Sequence, residues 1–341
     1  MRAIWQFFWG GGSLFKSIVN QGGKGVQLFF VASAFTLFFS LSKKKLTHNV
    51  KYNFYVRRIF RIAPLYYLGI IYYLMQDGLG PRFWLGDAPG ITSWHIISNV
   101  LFLHGFDPYA MSSVVPGGWS IAVEMLFYCF VPFLFLRIKS LNQAIAFLMI
   151  SILLNLFLYL LLNRLNLISD TRLWGNYLNL FFPSQLPVFA CGIIMFFLIT
   201  VPKTEWKINP GFILGLGLLF LLDLSLGFSV FFGSHILFSI TFIAIGFALS
   251  RKEFKILVNP ASVYIGKISY SMYIVHFAIL HWLTQLNLIN LMPSNSIANY
   301  CLRFVFVLIL STFFATITYH LVEVPFQKLG AKLVGGQVKP N

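Results

Sequence analysis

Charged side chains are scarce in this chain of 341 residues: they make up 10% of it, whereas apolar residues make up 58%. Soluble domains typically have about 25% charged and about 45–50% apolar residues. So few charges cannot cover a water-facing surface, which excludes an ordinary soluble globular protein. The apolar excess is spread over most of the sequence and interrupted only by loop-length polar stretches. We therefore expect one integral membrane protein.

Cysteine is scarce as well. Cys129, Cys191 and Cys301 lie in apolar runs and lack the spacing of a disulfide framework or a zinc site. We therefore expect no metal site and interpret the three side chains as small buried hydrophobic groups. The N-terminus has neither the apolar core nor the small-residue cleavage site of a signal peptide.

Long apolar runs predict an all-α, polytopic transmembrane helical bundle, because a span needs about 20 mostly apolar residues. Nine runs qualify as candidate spans. They cover residues 25–41, 60–76, 119–136, 144–162, 186–201, 211–228, 235–250, 269–288 and 302–321.

Acidic residues number only 9, against 25 Lys and Arg, and the basic residues are distributed unevenly between alternate loops. One set of loops holds 18 of them and the other holds 7. The positive-inside rule places the richer set in the cytoplasm, with the C-terminus, and nine spans then put the N-terminus outside. We expect an external segment over residues 1–24, a single transmembrane domain over 25–330 and a cytoplasmic tail over 331–341, in a bacterial inner membrane. Nucleic-acid binding is excluded because the basic residues are dispersed rather than gathered in one soluble domain.

Three arginines share one side of a predicted helix. Arg57, Arg58 and Arg61 stand three and four residues apart in the segment YVRRIFRIAPLYYL. Such a cluster at the start of a helix suits a phosphorylated ligand, because arginine matches phosphate oxygens and the helix dipole favours anions. Ordinary anchoring to lipid headgroups is an equally open interpretation.

Two polar stripes lie inside predicted spans. Ser120, Glu124 and Tyr128 recur every four residues, and a carboxylate at that depth needs a hydrated cavity or a partner. Tyr273 and His276 share a helix face with a serine at residue 269; with that serine at the inner end, His276 lies about 10 Å deep. Glu124 and His276 are then expected to approach the midplane from opposite sides, along a path across the membrane. The alternative for each is a structural hydrogen bond between helices.

Five segments, read in order, resemble signatures of the acyltransferase 3 family of integral membrane O-acyltransferases. The match extends from Gly22 to Leu333. The segments are GGKGVQLFFVASAF, YVRRIFRIAPLYYL, GGWSIAVEMLFY, IGKISYSMYIVH and YHLVEVPFQKLGAKL.

The resemblance implies a bundle usually of ten helices that transfers an acyl group, often acetyl, from cytosolic acyl-CoA to a hydroxyl of a cell-surface glycan or related acceptor. It implies that Arg57, Arg58 and Arg61 hold the CoA phosphates. Glu124 is expected to work at the acceptor side, together with Ser120, Tyr128 and His104. The expected partners are acyl-CoA as donor substrate, a hydroxyl acceptor and the lipid bilayer, with no bound cofactor.

One departure from the family concerns the catalytic base. The family usually opens with a helix that carries an Arg and a His proposed as that base, and we expect this helix to be absent here. The base is then expected to be His276, His104 or Glu124. An inactive family remnant and a transporter or flippase of an acylated substrate stay as alternatives, although no internal repeat typical of transporters is visible.

Overall fold

The computed structural model describes residues 17–43, 48–86, 88–200, 210–225, 233–288 and 297–335. These ranges contain helices and turns and no β-strand. The helices are α1 (Gly25–Ser42), α2 (His48–Asp77), α3 (Ser93–Val100), α4 (Trp119–Arg137), α5 (Leu141–Leu165), α6 (Thr171–Leu180), α7 (Phe182–Thr200), α8 (Pro210–Ser225), α9 (Ser234–Arg251), α10 (Pro260–Gln285), α11 (Ile297–Thr318) and α12 (Val324–Leu333).

Every predicted span overlaps one of these helices, so the polytopic helical bundle is confirmed; residues 201 and 226–228 of two predicted spans lie outside the described ranges. Within the described ranges, seven helical stretches are long and apolar enough to cross a membrane. The other two predicted spans lie in α2 and α8. Arg61 and four tyrosines interrupt the apolar run of α2, and α8 has only 16 residues.

The chain groups into two compact units. The first comprises residues 1–45, 130–167 and 178–258. Helix α7 lies at its centre and packs against α1, α5 and α9. Gly192 permits the closest approach, since a Cβ there would lie 2.4 Å from the carbonyl oxygen of Val31. Phe30 and Phe189 pack at the same contact, with ring centroids 4.6 Å apart.

The second unit comprises residues 46–129, 168–177 and 259–341. Helices α2 and α10 run parallel in it. The Tyr270 hydroxyl donates to the Ile62 carbonyl about halfway along both helices, and His281 lies 3.9 Å from Asp77 near their ends. Helix α4 runs the other way, since the Tyr55 hydroxyl near the start of α2 donates to the carbonyl of Cys129. All candidate site residues belong to this unit.

The expected N-terminal segment and C-terminal tail can be compared with the structure only in part. The first candidate span begins at Ser17, inside the segment expected to be external. Residues 1–16 lie outside the described ranges, and with them the place of the expected missing helix. Residues 336–341 of the expected tail also lie outside, whereas α12 continues to Leu333.

The prediction of three buried cysteines is wrong for two of them. Cys191 is buried in α7, but Cys129 and Cys301 are exposed. Apolar side chains on membrane helices can face lipid instead of the protein core, so an apolar run does not imply burial in the protein.

Candidate active site

Glu124 and Tyr128 form the centre of the candidate site. Both side chains are almost completely buried, with 1% and 3% of their surface exposed. They lie one helical turn apart on α4, which brings them together, and the Tyr128 hydroxyl donates a hydrogen bond to Glu124 Oε1. The carboxylate thus has the partner that a charge at this depth requires.

The arginine face of α2 lies against this pair. The Arg58 guanidinium carbon is 5.6 Å from the ring centre of Phe54 and 5.9 Å from that of Tyr128. The Arg58 charge also interacts electrostatically with Glu124. Arg58 therefore lies beside the buried carboxylate.

Two arginine nitrogens at this face lack acceptors. The Nε atoms of Arg57 and Arg58 are buried and have no hydrogen-bond partner among the described residues. A buried donor without an acceptor is costly, so these atoms point to an anionic ligand that supplies oxygens. Arg61 is exposed and lies close enough to Tyr128 and Glu323 to interact with both electrostatically.

Tyr128, expected on the acceptor side with Ser120, lies at the opposite end of the stripe from it. The stripe Ser120, Glu124 and Tyr128 extends about 12 Å along α4, so its two ends meet different neighbours. Tyr128 lies at the arginine end, beside Arg58, and Ser120 lies at the other end.

Ser120 joins α4 to α10. Its hydroxyl donates to the Tyr273 oxygen at 2.9 Å, and the Tyr273 hydroxyl donates to the Gly117 carbonyl at 2.8 Å. Gly117 has a φ of +73°, and a Cβ there would lie 2.5 Å from the Tyr273 oxygen. Only glycine therefore lets the chain enter α4 so close to Tyr273.

His276 lies one turn beyond Tyr273 on α10. Its Nδ1 is 2.7 Å from the Tyr273 carbonyl oxygen, and a carbonyl can only accept, so Nδ1 carries the hydrogen. Nε2 is then the acceptor nitrogen, and it has no hydrogen bond to any described residue. The ring packs on Phe277, with centroids 4.0 Å apart.

The predicted depth order of Glu124 and His276 is wrong. Helix α10 begins at Pro260, so His276 lies about 24 Å from the first residue of the helix. Since α4 runs against α10, Glu124 lies towards the Pro260 end of the Ser120–Tyr273 contact and His276 lies beyond it. The order along the unit is the arginines, Glu124, Ser120 with Tyr273, and then His276.

His104 has structural contacts and is completely buried. Its Nε2 lies 3.0 Å from the Gly118 carbonyl oxygen, to which it donates, and 3.1 Å from the Tyr66 hydroxyl. The Tyr66 hydroxyl in turn donates to Asn99 at 2.7 Å. Burial lowers the pKa of His104 to about 4, so the ring is neutral near pH 7. His104 therefore holds the connection between α3 and α4 against the start of α4.

A second buried carboxylate was missed at the sequence level. Glu323 is 3% exposed and accepts a hydrogen bond from the Ser271 hydroxyl. It ends a π-helical turn, Tyr319–Glu323, directly before the proline-containing α12. An acidic residue that ends an apolar run just before a proline could have revealed it, since π-turns often occur at functional sites.

Tyrosines complete the surroundings of the two carboxylates. Tyr270 is buried near both Glu124 and Glu323. Among the described residues, no three His, Cys, Asp or Glu side chains come together in a way that could hold a metal ion.

The fold and the site define a polytopic helical membrane protein that has arginines, two buried carboxylates and a histidine on the helices of one unit. Its residues 3–320 match the profile described as an acyltransferase domain, and the chain belongs to the acyltransferase 3 family. The resemblance found in the five sequence segments is thereby confirmed. No solved structure matches the chain.

Proteins of Staphylococcus aureus are similar to this chain. "Putative O-acetyltransferase SACOL0978" of strain COL is 26% identical over 366 residues, which cover 93% of this chain and 54% of that protein. "Putative O-acetyltransferase SAS0844" of strain MSSA476 and "Putative O-acetyltransferase SAR0937" of strain MRSA252 match with the same identity and coverage. The chain thus spans about half the length of these relatives.

Proposed function

We propose that this protein is a membrane O-acyltransferase that moves an acyl group, acetyl by preference, from cytosolic acyl-CoA to a hydroxyl of a cell-surface glycan. The observation that carries the proposal is the ordered line of polar side chains through one unit. It begins at the arginine face of α2, passes Glu124 and the Ser120–Tyr273 contact, and ends at His276. A reaction with substrates on opposite sides of a membrane needs such a line, because polar groups in lipid are otherwise excluded.

The donor end is assigned to the arginines. Arg57 and Arg58 have buried Nε atoms without acceptors among the described residues, and phosphate oxygens are suitable acceptors for them. Arg61, at the same face, is exposed and accessible to a ligand that approaches from water. The phosphates of CoA fit this chemistry, and in this proposal the arginine end and the C-terminus face the cytoplasm.

The acyl transfer itself is assigned to His276 as general base. Nε2 takes the proton from the acceptor hydroxyl while the oxygen attacks the thioester carbonyl. A carbon–oxygen bond forms, the carbon–sulfur bond breaks, and the CoA sulfur leaves as a thiolate. The thiolate then receives a proton, so the products are an ester and CoA.

Glu124 and Tyr128 are assigned to the route between the two ends. Their hydrogen bond lies beside Arg58, and a carboxylate at that point balances the charge of the guanidinium once CoA has left. Ser120, with Tyr273, is assigned to the acceptor side. His104 is not a candidate for the base in this scheme, because the ring is completely buried and its two nitrogens lie against the carbonyls of Gly118 and Ser98.

A test with purified protein in vesicles separates the donor role from the base role. The assay follows CoA release and acyl transfer to a glycan acceptor. Arg58→Ala is expected to raise KM for acetyl-CoA by at least about tenfold, the effect of losing roughly 1.4 kcal/mol of binding. His276→Gln is expected to lower kcat by about 100-fold or more with little change in that KM, because a general base typically contributes at least that factor.

Matched controls exist for both variants. Arg137 lies at the end of α4 over the Phe133 ring, and Arg137→Ala removes an arginine of similar setting outside the site. His281→Gln removes a histidine from the same helix as His276. Unchanged kinetics in Arg58→Ala and His276→Gln would refute the assigned roles. If the wild type moves the acyl donor across the membrane without forming an ester, a flippase is favoured. If the wild type shows neither ester formation nor donor movement, an inactive remnant is favoured.

A further inference from the structure

An apolar cleft lies in the unit that contains the candidate site. Its volume is about 520 Å³, within the range of about 300–1,000 Å³ that is usual for ligand sites. It is formed by α2, α10 and α11, and its lining includes Leu65, Tyr73, Val275, Ala278 and Phe314.

The cleft is open to the hydrocarbon part of the bilayer. Leu68, Ile71 and Met75 of α2 line it and are 47%, 55% and 80% exposed. On a membrane helix, exposed apolar side chains face lipid tails and not water. The lining is thus continuous with the lipid-facing surface of α2.

The length of the cleft matches one leaflet. From Leu65 to Met75, α2 rises about 15 Å, which is half of a hydrocarbon core of about 30 Å. Near one end, the Trp282 indole nitrogen donates to the Tyr72 hydroxyl at 2.7 Å. Trp and Tyr are typical of the membrane–water interface. An occupant therefore has one end at the interface and a chain that reaches the midplane.

The cleft does not belong to the polar line. Val275, Ala278 and Trp282 lie on one side of α10, whereas Tyr273 and His276 lie on the other side, at 3.6 residues per turn. A molecule in the cleft is thus separated from Tyr273 by the body of the helix, and Ile279, one turn from His276, also lines the cleft. This geometry favours a resident molecule over a substrate in transit.

Tyr73 forms the floor of the cleft and ties α2 to α10. Its hydroxyl donates to the Ile274 carbonyl at 2.6 Å and accepts from the Ala278 amide at 3.1 Å. In a regular α-helix these two backbone groups bond to each other, so the Tyr73 hydroxyl is inserted between them. Contacts on the Tyr73 ring therefore act on the turn of α10 that also carries His276.

We propose that the cleft binds one acyl chain of a bilayer phospholipid, which stabilises the contact of α2 with α10 and α11. The proposal does not depend on the enzymatic function. A chain in the cleft replaces a void against the Tyr73 ring and Phe314 with van der Waals contacts, and its headgroup lies beside Tyr72 and Trp282.

Photocrosslinking of the wild-type protein in lipid nanodiscs tests the proposal directly. The probe is a phosphatidylcholine with a diazirine on one acyl chain, and adducts are mapped by mass spectrometry. We expect adducts concentrated on Val275, Ala278 and Phe314. Adducts spread evenly, and as frequent on Ile150 and Phe157 of the lipid-facing helix α5, would overturn the proposal.

Variants add an independent measurement by native mass spectrometry of the detergent-purified protein. Ala278→Phe fills the cleft and is expected to lose the bound phospholipid that the wild type retains. Val263→Phe introduces the same ring at an exposed position of α10 outside the cleft and is expected to keep it. Equal retention in both variants would count against the site. If Ala278→Phe does not fold, the crosslinking map of the wild-type protein decides the question.

Discussion

At the residue scale, histidines in this unit have different environments, and the hydrogen bonds of their ring nitrogens define them. His276 has Nδ1 bonded to its own helix, and its Nε2 is left as an acceptor. His104 donates from Nε2 to the Gly118 carbonyl and is sealed from solvent. A histidine inside an apolar segment is therefore a candidate base only when its acceptor nitrogen can be reached by a substrate hydroxyl.

The buried His104 predicts a pH dependence of stability. Its pKa is about 4 in the folded protein, against about 6.5 in the unfolded chain. Between these values the unfolded chain binds a proton that the folded chain does not, so stability falls as pH drops through this window. The full decrease in the free energy of unfolding is about 3 kcal/mol, and it is complete near pH 4.

Thermal unfolding in detergent between pH 4 and pH 7 measures this effect. His104→Gln keeps a donor for Gly118 and is expected to have a flatter profile. His95 is a second buried histidine whose pKa is lowered by burial, so part of the slope is expected to stay. Identical profiles for the wild type and His104→Gln would show that His104 does not remain neutral in the fold.

At the element scale, the approach of α4 to α10 depends on the turn before α4. Gly117 has a backbone conformation that side chains rarely adopt, and its carbonyl accepts from Tyr273. The same turn fixes Ser120 against Tyr273. The polar line is thus continuous only because two consecutive glycines, Gly117 and Gly118, let the backbone approach Tyr273 and Tyr66.

Gly117→Ala is expected to destabilise the protein. The new Cβ adopts an unfavourable φ and lies 2.5 Å from the Tyr273 oxygen, which must move. We expect a loss of about 1–3 kcal/mol, measured as a lower unfolding midpoint.

Gly266→Ala is the matched control for this variant. Gly266 lies in α10, and a Cβ there meets nothing within 4 Å, so alanine is expected to be neutral or stabilising by about 0.5–1 kcal/mol. If Gly117→Ala unfolded at the wild-type midpoint, the close contact with Tyr273 would not exist in the native protein.

At the scale of the whole molecule, the charge distribution and the helix directions indicate the same membrane topology. Helices α2 and α10 run parallel, so their first turns must lie on the same side of the membrane. The loops before them belong to the basic set that the positive-inside rule assigns to the cytoplasm.

Cysteine labelling checks this topology. Cys129, Cys191 and Cys301 are first replaced by serine, and single cysteines are introduced at Lys51, Ala261, Ser93 or Leu286, all exposed positions. A membrane-impermeant maleimide on intact cells is expected to label residues 93 and 286 and to miss residues 51 and 261. Labelling of 51 and 261 on opposite sides would contradict the parallel packing, and labelling of both from outside would invert the orientation.

The sequence by itself determined the features that depend on local composition. Apolar runs located the helices, since hydrophobic length alone decides which segments can span a bilayer. Spacing by three and four residues placed the arginines on one face of α2 and the polar stripe on one face of α4, because helical periodicity is a property of the chain. The five ordered segments were enough to indicate the family.

The tertiary structure alone decided which of these faces meet. It placed Tyr128 beside Arg58, put His276 beyond Tyr273 instead of before Glu124, enclosed His104 in structural hydrogen bonds, and brought Glu323 to Ser271. The position of a residue across the membrane depends on where its helix starts and on how neighbouring helices pack. Those contacts join residues 14 to 153 positions apart, and no periodicity within one segment records them.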